Sequence, residues 1–268
     1  MKNSIPIFFF SLAIVTCYSF VVITFVPKRK GNQVTKTTPI GVIELRNYLI
    51  KNKQANAFNT YFTEHFQKPM QDMEVSVLGK FKIKNDENHF VWIRGYENGA
   101  QRVKFLNDFY YKNKEWIKYK KGANELIGNS DNVYLLKPFL SAENQGISSG
   151  TISSAIFNNE KSFVVVDFYI ANTRLNELKA FFDKEYCPIL KSVGMETTLW
   201  VSVTEENDFP QLPVFQDKNL LVAITFYKNE NDYKSKSKLL NAATSNQLKI
   251  KMLDIVTTHQ SMELNPFK

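Results

Sequence analysis

The chain predicts an α+β protein: two tandem β-α-β-β-α-β units that close around one shared interior, preceded by an apolar helix. Three observations carry that prediction. Residues 42–48 open a strand-helix-strand-strand-helix-strand order, and the same order restarts at residues 163–169. The register that sets Tyr48 on Tyr169 also sets Glu64 on Glu185 and Leu78 on Leu199 without a gap, which argues for duplication. Strands such as Phe90-Val91-Trp92-Ile93 carry bulk on both sides, so each sheet must be buried on both faces.

Residues 5–26 hold no charged side chain. An apolar run of about 18 residues or more suits a membrane span, whereas the apolar part of a signal peptide is usually shorter, about 7–15 residues. Residues 1–26 therefore read as a signal anchor or signal peptide, making the protein membrane-attached or exported to the cell envelope. Lys28, Arg29 and Lys30 follow the span, which taken alone favours a cytoplasmic C-terminal side. A short Lys2-bearing N-terminus before one apolar span instead resembles an export signal, so the side stays open. Residues 27–40, with Pro27, Gly31 and Pro39, show no apolar periodicity and read as a tether.

The first unit covers residues 41–139. Residues 42–48 alternate and are bounded by Gly41 and Lys51-Asn52-Lys53, as a strand requires. Ala55, Phe58, Tyr61, Phe62 and Phe66 then form one helical stripe, which Pro69 is expected to close. Two strands, 74–84 and 89–96, flank the polar turn Asn85-Asp86-Glu87-Asn88. Val103, Leu106, Phe109 and Tyr110 mark a second helix, resumed by Trp116, Ile117 and Tyr119 after Lys112-Asn113-Lys114, and residues 132–139 supply the closing strand. This order is the split β-α-β, or ferredoxin-like, unit.

Residues 140–161 are polar and Ser/Gly-rich, as in a linker. The second ferredoxin-like unit, 162–268, repeats the pattern. It has strands at 163–170, 197–204 and 220–227, a helix striped by Leu175, Leu178, Phe181 and Phe182, a helix at 233–248, and a last strand within 253–264.

Composition narrows the function classes. Hydrophobic residues make up 44%, charged residues 22%, and there are 22 Phe and 12 Tyr, enough for a substantial core. The net charge of +8 favours anionic partners in general. Its lysines, such as Lys112, Lys114, Lys118, Lys120 and Lys121, fall on helices as solvated faces do, and no nucleic-acid motif is present. Cys17 and Cys187 make no disulfide framework. There is no Walker loop, no Gly-x-Gly-x-x-Gly, no Gly-x-Ser-x-Gly and no zinc spacing among His65, His89 and His259. No cofactor, metal site or catalytic residue is predicted.

Glu44-Leu45-Arg46 with Tyr48, then Leu78-Gly79, Tyr96, Arg102 and Trp116 in that order, resemble the NIPSNAP family of the dimeric α/β-barrel superfamily. The likeness covers residues 42–139 well and 162–267 by topology alone, where Val165-Val166-Asp167 stands in place of Glu-Leu-Arg. The resemblance implies two ferredoxin-like units pairing sheet to sheet, here within one chain, and hence a monomer. Its wider superfamily includes cofactor-free monooxygenases and haem-binding proteins.

Candidate site residues follow from face sharing. Arg46 and Tyr48 lie two apart on one strand, as do Trp92 and Arg94, so each pair shares a face. If those faces line the inter-sheet interior, Arg46, Tyr48, Trp92 and Arg94, with Asp167 and Tyr169 from the second unit, would surround a small, largely apolar ligand. His65, late in the first helix, would stand near the mouth as a base. The structural alternatives are a buried Arg46 neutralised by Asp167, a scaffolding His65 and a core Trp92. Tyr48 and Tyr169 are expected near a pseudo-two-fold axis. Three functions stay open: ligand binding in that cavity, cofactor-free oxygenation of a phenol or quinol, and a non-catalytic interaction module with a filled interior.

Overall fold

The computed structural model describes residues 39–139, 152–153, 163–172 and 174–267. The expected N-terminal apolar helix, the tether to residue 38 and most of the linker lie outside the described residues. No helix among the described residues is long and apolar enough to cross a membrane.

Eight strands form the frame: β1 (Val42–Ile50), β2 (Ser76–Ile83), β3 (His89–Tyr96), β4 (Val133–Pro138), β5 (Phe163–Ala171), β6 (Glu196–Ser202), β7 (Leu220–Tyr227) and β8 (Val256–Pro266). Within the first half β1 pairs antiparallel with β3 and β4, and β3 pairs with β2. The second half repeats this: β5 pairs with β7 and β8, and β7 with β6. The halves then join edge to edge. β2 pairs with β8 through Ile83 and Leu264, and β4 pairs with β6 through Leu136 and Ser202, closing a single barrel. Closure leaves no free edge among the eight strands.

Alternation decides what fills the barrel. Ile43 and Leu45 of β1, Val91 and Ile93 of β3, Val164, Val166 and Phe168 of β5, and Val222 and Ile224 of β7 meet in one apolar cluster with Trp200 and Leu264. The interior is thus filled by side chains from every quarter of the barrel. Glu44, Arg46 and Tyr48, and likewise Trp92 and Arg94, take the opposite face, against the helices. Contrary to expectation, then, these residues do not line the inter-sheet interior. The barrel core takes apolar side chains, Phe168 and Trp200 among them, whereas the charged Glu44, Arg46 and Arg94 are matched on the outer face, where Arg102 of a covering helix completes their pairing. Tyr48 and Tyr169 accordingly sit under separate helix layers, packed against Phe58 and Phe182 respectively, not near a common axis.

The first half is covered by α1 (Ala55–Phe62, Thr63–Gln67 and Lys68–Asp72), α2 (Gly99–Lys112) and α3 (Lys114–Leu126), and the second by α4 (Leu175–Phe181, Phe182–Tyr186 and Cys187–Ser192), α5 (Glu230–Ala243) and α6 (Asn246–Ile255). The middle segments of α1 and α4 are π-turns. Each is followed by a proline at the same step, Pro69 and Pro188, so Pro69 does not close its helix. The widened turn carries the chain past a residue that cannot donate a backbone hydrogen bond. The π-turns also show that the true match is Pro69 with Pro188, and that Glu64 stands opposite Asp183 instead of Glu185. Each long helix ends in a left-handed residue, Glu74 (φ 62°) in one half and Gly194 (φ 71°) in the other.

The breaks between paired helices have a local cause. Asn113 caps α3 through its Oδ1, which accepts from the Trp116 amide at 3.0 Å, and Ser245 caps α6 by accepting from the Leu248 amide at 3.2 Å. The helix expected over 233–248 is therefore two helices, and β8 starts later than expected. Regular structure begins slightly before Gly41, where Pro39–Ile40 pairs with Ile152–Ser153.

A fragment of residues 41–139 would expose the edges of β2 and β4 and the whole apolar inner face of its sheet. Such a fragment is expected to dimerise or aggregate, whereas residues 41–268 stay monomeric in light scattering. A well-behaved monomeric fragment would contradict the shared barrel.

Candidate functional site

Register on the outer face of β1 and β3 builds the site. Glu44 lies directly opposite Arg94, and Arg46 opposite Trp92. The first turn of α2, capped by Asn98 accepting from the Gln101 amide at 2.9 Å, brings Arg102 over the same carboxylate. Glu44 Oε2 accepts from Arg46 Nη1 at 2.7 Å, from Arg94 Nε at 3.0 Å, and from Arg94 Nη2; Oε1 accepts from Arg102 Nε at 2.7 Å. All four side chains are buried, none more than 3% exposed.

Burial pushes the Glu44 carboxyl up, but the three guanidinium groups of Arg94, Arg46 and Arg102 together override it and hold the group well below the usual carboxylate range. Burial likewise opposes the charge on Arg46 and Arg94, yet the net direction for both is upward, with Glu44 a shared cause. Three guanidinium groups thus surround one carboxylate.

Arg46 is fixed further by Nε donating to Tyr48 Oη at 2.8 Å, and its guanidinium lies 5.6 Å from the Trp92 ring centroid. Arg94 lies 5.2 Å from Trp92 and 5.1 Å from Phe105. Burial raises the phenol of Tyr48 and that of Tyr96. Four buried atoms of this cluster have no hydrogen-bond partner among the described residues: Arg94 Nη1, Arg102 Nη2, Tyr96 Oη and Trp92 Nε1.

Beside the cluster is a cavity of about 220 Å³, with Arg46 and Tyr48 at one side and walls from Phe62, Phe66, Trp92, Phe109 and Trp116. The second half also contributes. Its loop between β6 and β7 packs Phe209 and Leu212 into the first half's helix-side core, and Asn207 Oδ1 accepts from Arg102 Nη1 at 3.2 Å. A wider depression of about 690 Å³ lies at the β2–β3 hairpin, where Lys53, Asp86 and Asn265 are among its mostly polar residues. It lacks the convergent buried groups of the smaller cavity.

The expected site residues divide into three places. Arg46, Tyr48, Trp92 and Arg94 come together, although under the helices and not between the sheets. His65 stacks flat on Tyr119, with centroids 3.8 Å apart, and is not part of the cavity lining. Asp167 and Tyr169 lie in the second half, where both meet His259: Asp167 Oδ1 is 2.9 Å from its Nε2, and the Tyr169 ring stacks on it at 4.5 Å. The partner of Arg46 is thus Glu44, not Asp167. Among the described residues no group of three His, Cys, Asp or Glu side chains is placed to hold a metal. Glu44, Arg102 and Asn207 are the residues that sequence reasoning did not assign to the site. The alternation joining Glu44, Arg46 and Tyr48 could have found the first, and Arg102 stood among the residues of the family resemblance without a role attached; nothing local marks Asn207.

No protein-family model matches the chain, and no curated protein matches it. Solved structures do. A candidate monooxygenase from Lactobacillus acidophilus aligns with 84% of this chain and 93% of its own at 12% identity and a TM-score of 0.52. One from Fusobacterium nucleatum covers 85% of this chain and 93% of its own at 14% identity and a TM-score of 0.51. A NIPSNAP domain protein from Burkholderia xenovorans matches 37% of this chain and 94% of its own at 13% identity, TM-score 0.34. The chain has the dimeric α/β-barrel fold. At these identities the likeness is one of fold, and both ferredoxin-like halves of that fold are supplied by one chain.

Replacing Glu44 by Gln leaves three buried guanidinium groups without an anion, and the expected loss is about 3–5 kcal/mol in urea unfolding at pH 7. The Glu44 carboxyl is depressed in the folded state, so its contribution is complete above the unfolded value near 4.3 and falls as pH drops further toward the folded value. The gap between wild type and Glu44→Gln should therefore be constant from pH 7 to about pH 5 and narrow below about pH 4. A gap that widens in acid would contradict this assignment.

Proposed function

We propose that this protein binds a small, largely apolar ligand in the cavity between the helices and the outer face of β1 and β3. The observation that carries the reading is the cavity itself: aromatic walls, one buried guanidinium, and a closing loop from the other half. Concave apolar sites with few, fixed polar groups are the usual form of a small-molecule site. The filled barrel interior, which removes the inter-sheet cavity, would have favoured a purely structural module had this second cavity not been present. Membrane attachment through residues 5–26 belongs to the same proposal and would bring the site close to apolar ligands partitioned into a bilayer.

A second reading is cofactor-free oxygenation of a phenol or quinol, since two fold relatives are named as candidate monooxygenases. That chemistry needs a base to make the phenolate. The residues lining the cavity include neither a carboxylate nor an imidazole, and this favours binding.

Ala123 lines the cavity and is buried. Full-length protein purified in detergent, incubated with a library of single-ring aromatic acids, amides, phenols and quinols and analysed by native mass spectrometry, should carry a bound small molecule. Ala123→Leu should lower its occupancy about tenfold without changing the circular dichroism spectrum. Wild type that binds nothing, or a variant with unchanged occupancy, would contradict the reading.

A further inference from the structure

We infer that the ligand of this cavity is an acid: a small aromatic carboxylate whose anion meets Arg46 while its ring lies among the aromatic walls. The inference rests on the binding function proposed for the cavity and names the ligand class. Its basis is an imbalance of buried charge. Three guanidinium groups surround one carboxylate, which leaves two positive charges in a place where each side chain is at most 3% exposed. Among the described residues, the ion pairs of Arg46, Arg94 and Arg102 all lead to Glu44, and Arg102 adds only the neutral Asn207. Glu44 accepts four of these N–H groups, three of them at Oε2, and Arg94 Nη1 and Arg102 Nη2 are left without an acceptor among the described residues. Unpaired buried charge is costly, and an incoming anion is the kind of group that would relieve it.

The geometry says where the anion goes. Arg46 is the one charged side chain among the residues lining the cavity. Its Nε is held by Tyr48 and its Nη1 by Glu44, so the planar group has a fixed orientation, and Nη2 has no hydrogen-bond partner among the described residues. Trp92, on the same wall, has a buried indole N–H without a partner among them. A carboxylate offers two coplanar acceptors to such donors.

Size sets the rest of the ligand. A cavity of about 150 Å³ accepts benzene, so about 220 Å³ accommodates one ring with a short acid arm and not a long acyl chain. Rings at the walls suit an aromatic body by edge and face contact.

The test uses full-length protein in detergent and follows Trp92 and Trp116 fluorescence, with calorimetry as a check. Phenylacetate is compared with phenylacetamide, which has the same shape without the charge, and with toluene. Wild type at pH 7 should bind phenylacetate at least about tenfold more tightly than phenylacetamide, and Arg46→Met should erase that preference. Since the wild-type comparison needs no variant, it stands even if Arg46→Met folds poorly. Equal or tighter binding of phenylacetamide or toluene would overturn the acid inference and leave the cavity's binding function intact. A failure of all three probes to bind would overturn both, and a preference that survives in folded Arg46→Met would show that Arg46 does not receive the anion.

Discussion

A single buried carboxylate holds the first half of this protein in order. Glu44 neutralises part of a cluster that also contains Arg46, Arg94 and Arg102, contributed by two strands and a helix. Without it, three buried cations would face one another, and α2 would lose the ion pair by which Arg102 ties it to β1. Pairing also gives precise direction. Arg46 is clamped between Glu44 and Tyr48, so that the edge it turns to the cavity is set by its neighbours before any ligand arrives. A site pre-organised in this manner loses little freedom on binding.

The two halves share a plan and have divided its uses. Both have a π-turn before a proline in the long helix, a capped break between the two later helices, and the same strand order. At the positions of Glu44, Arg46 and Tyr48 the second half has Val165, Asp167 and Tyr169, so it has no arginine cluster and instead pairs Asp167 with His259. Its contribution to the cavity is indirect. It closes the barrel through β6 and β8, and its β6–β7 loop lays Phe209 and Leu212 against the first half while Asn207 tethers Arg102.

Much of this was legible in the sequence. Alternation and helical stripes located the strands and helices, and the polar break at Asn113 was visible because a capping residue interrupts an apolar pattern there. Period two also showed that Arg46 shares a face with Tyr48 and Trp92 with Arg94. It could not show which face, because both sides of these strands are buried and a half-period shift leaves the pattern unchanged. That choice depends on the joint packing of eight strands, to which Ile43, Leu45, Val91 and Ile93 contribute the inner surface. Pairing Arg46 with Asp167 followed from pseudo-symmetry, but symmetric outer faces point away from each other. Arg102 joins Glu44 across 58 residues, and Asn207 joins Arg102 across 105, separations that no local pattern carries.

Whether Glu44 and its arginines act as one unit is tested most directly by a double-mutant cycle. Unfolding free energies of wild type, Glu44→Gln, Arg102→Gln and the double variant would be measured in urea at pH 7. Charge balance predicts that Glu44→Gln costs much less once Arg102 is gone, with a coupling energy of about 2 kcal/mol. Additivity to within about 0.5 kcal/mol would contradict that coupling and leave the cluster as four independently packed side chains.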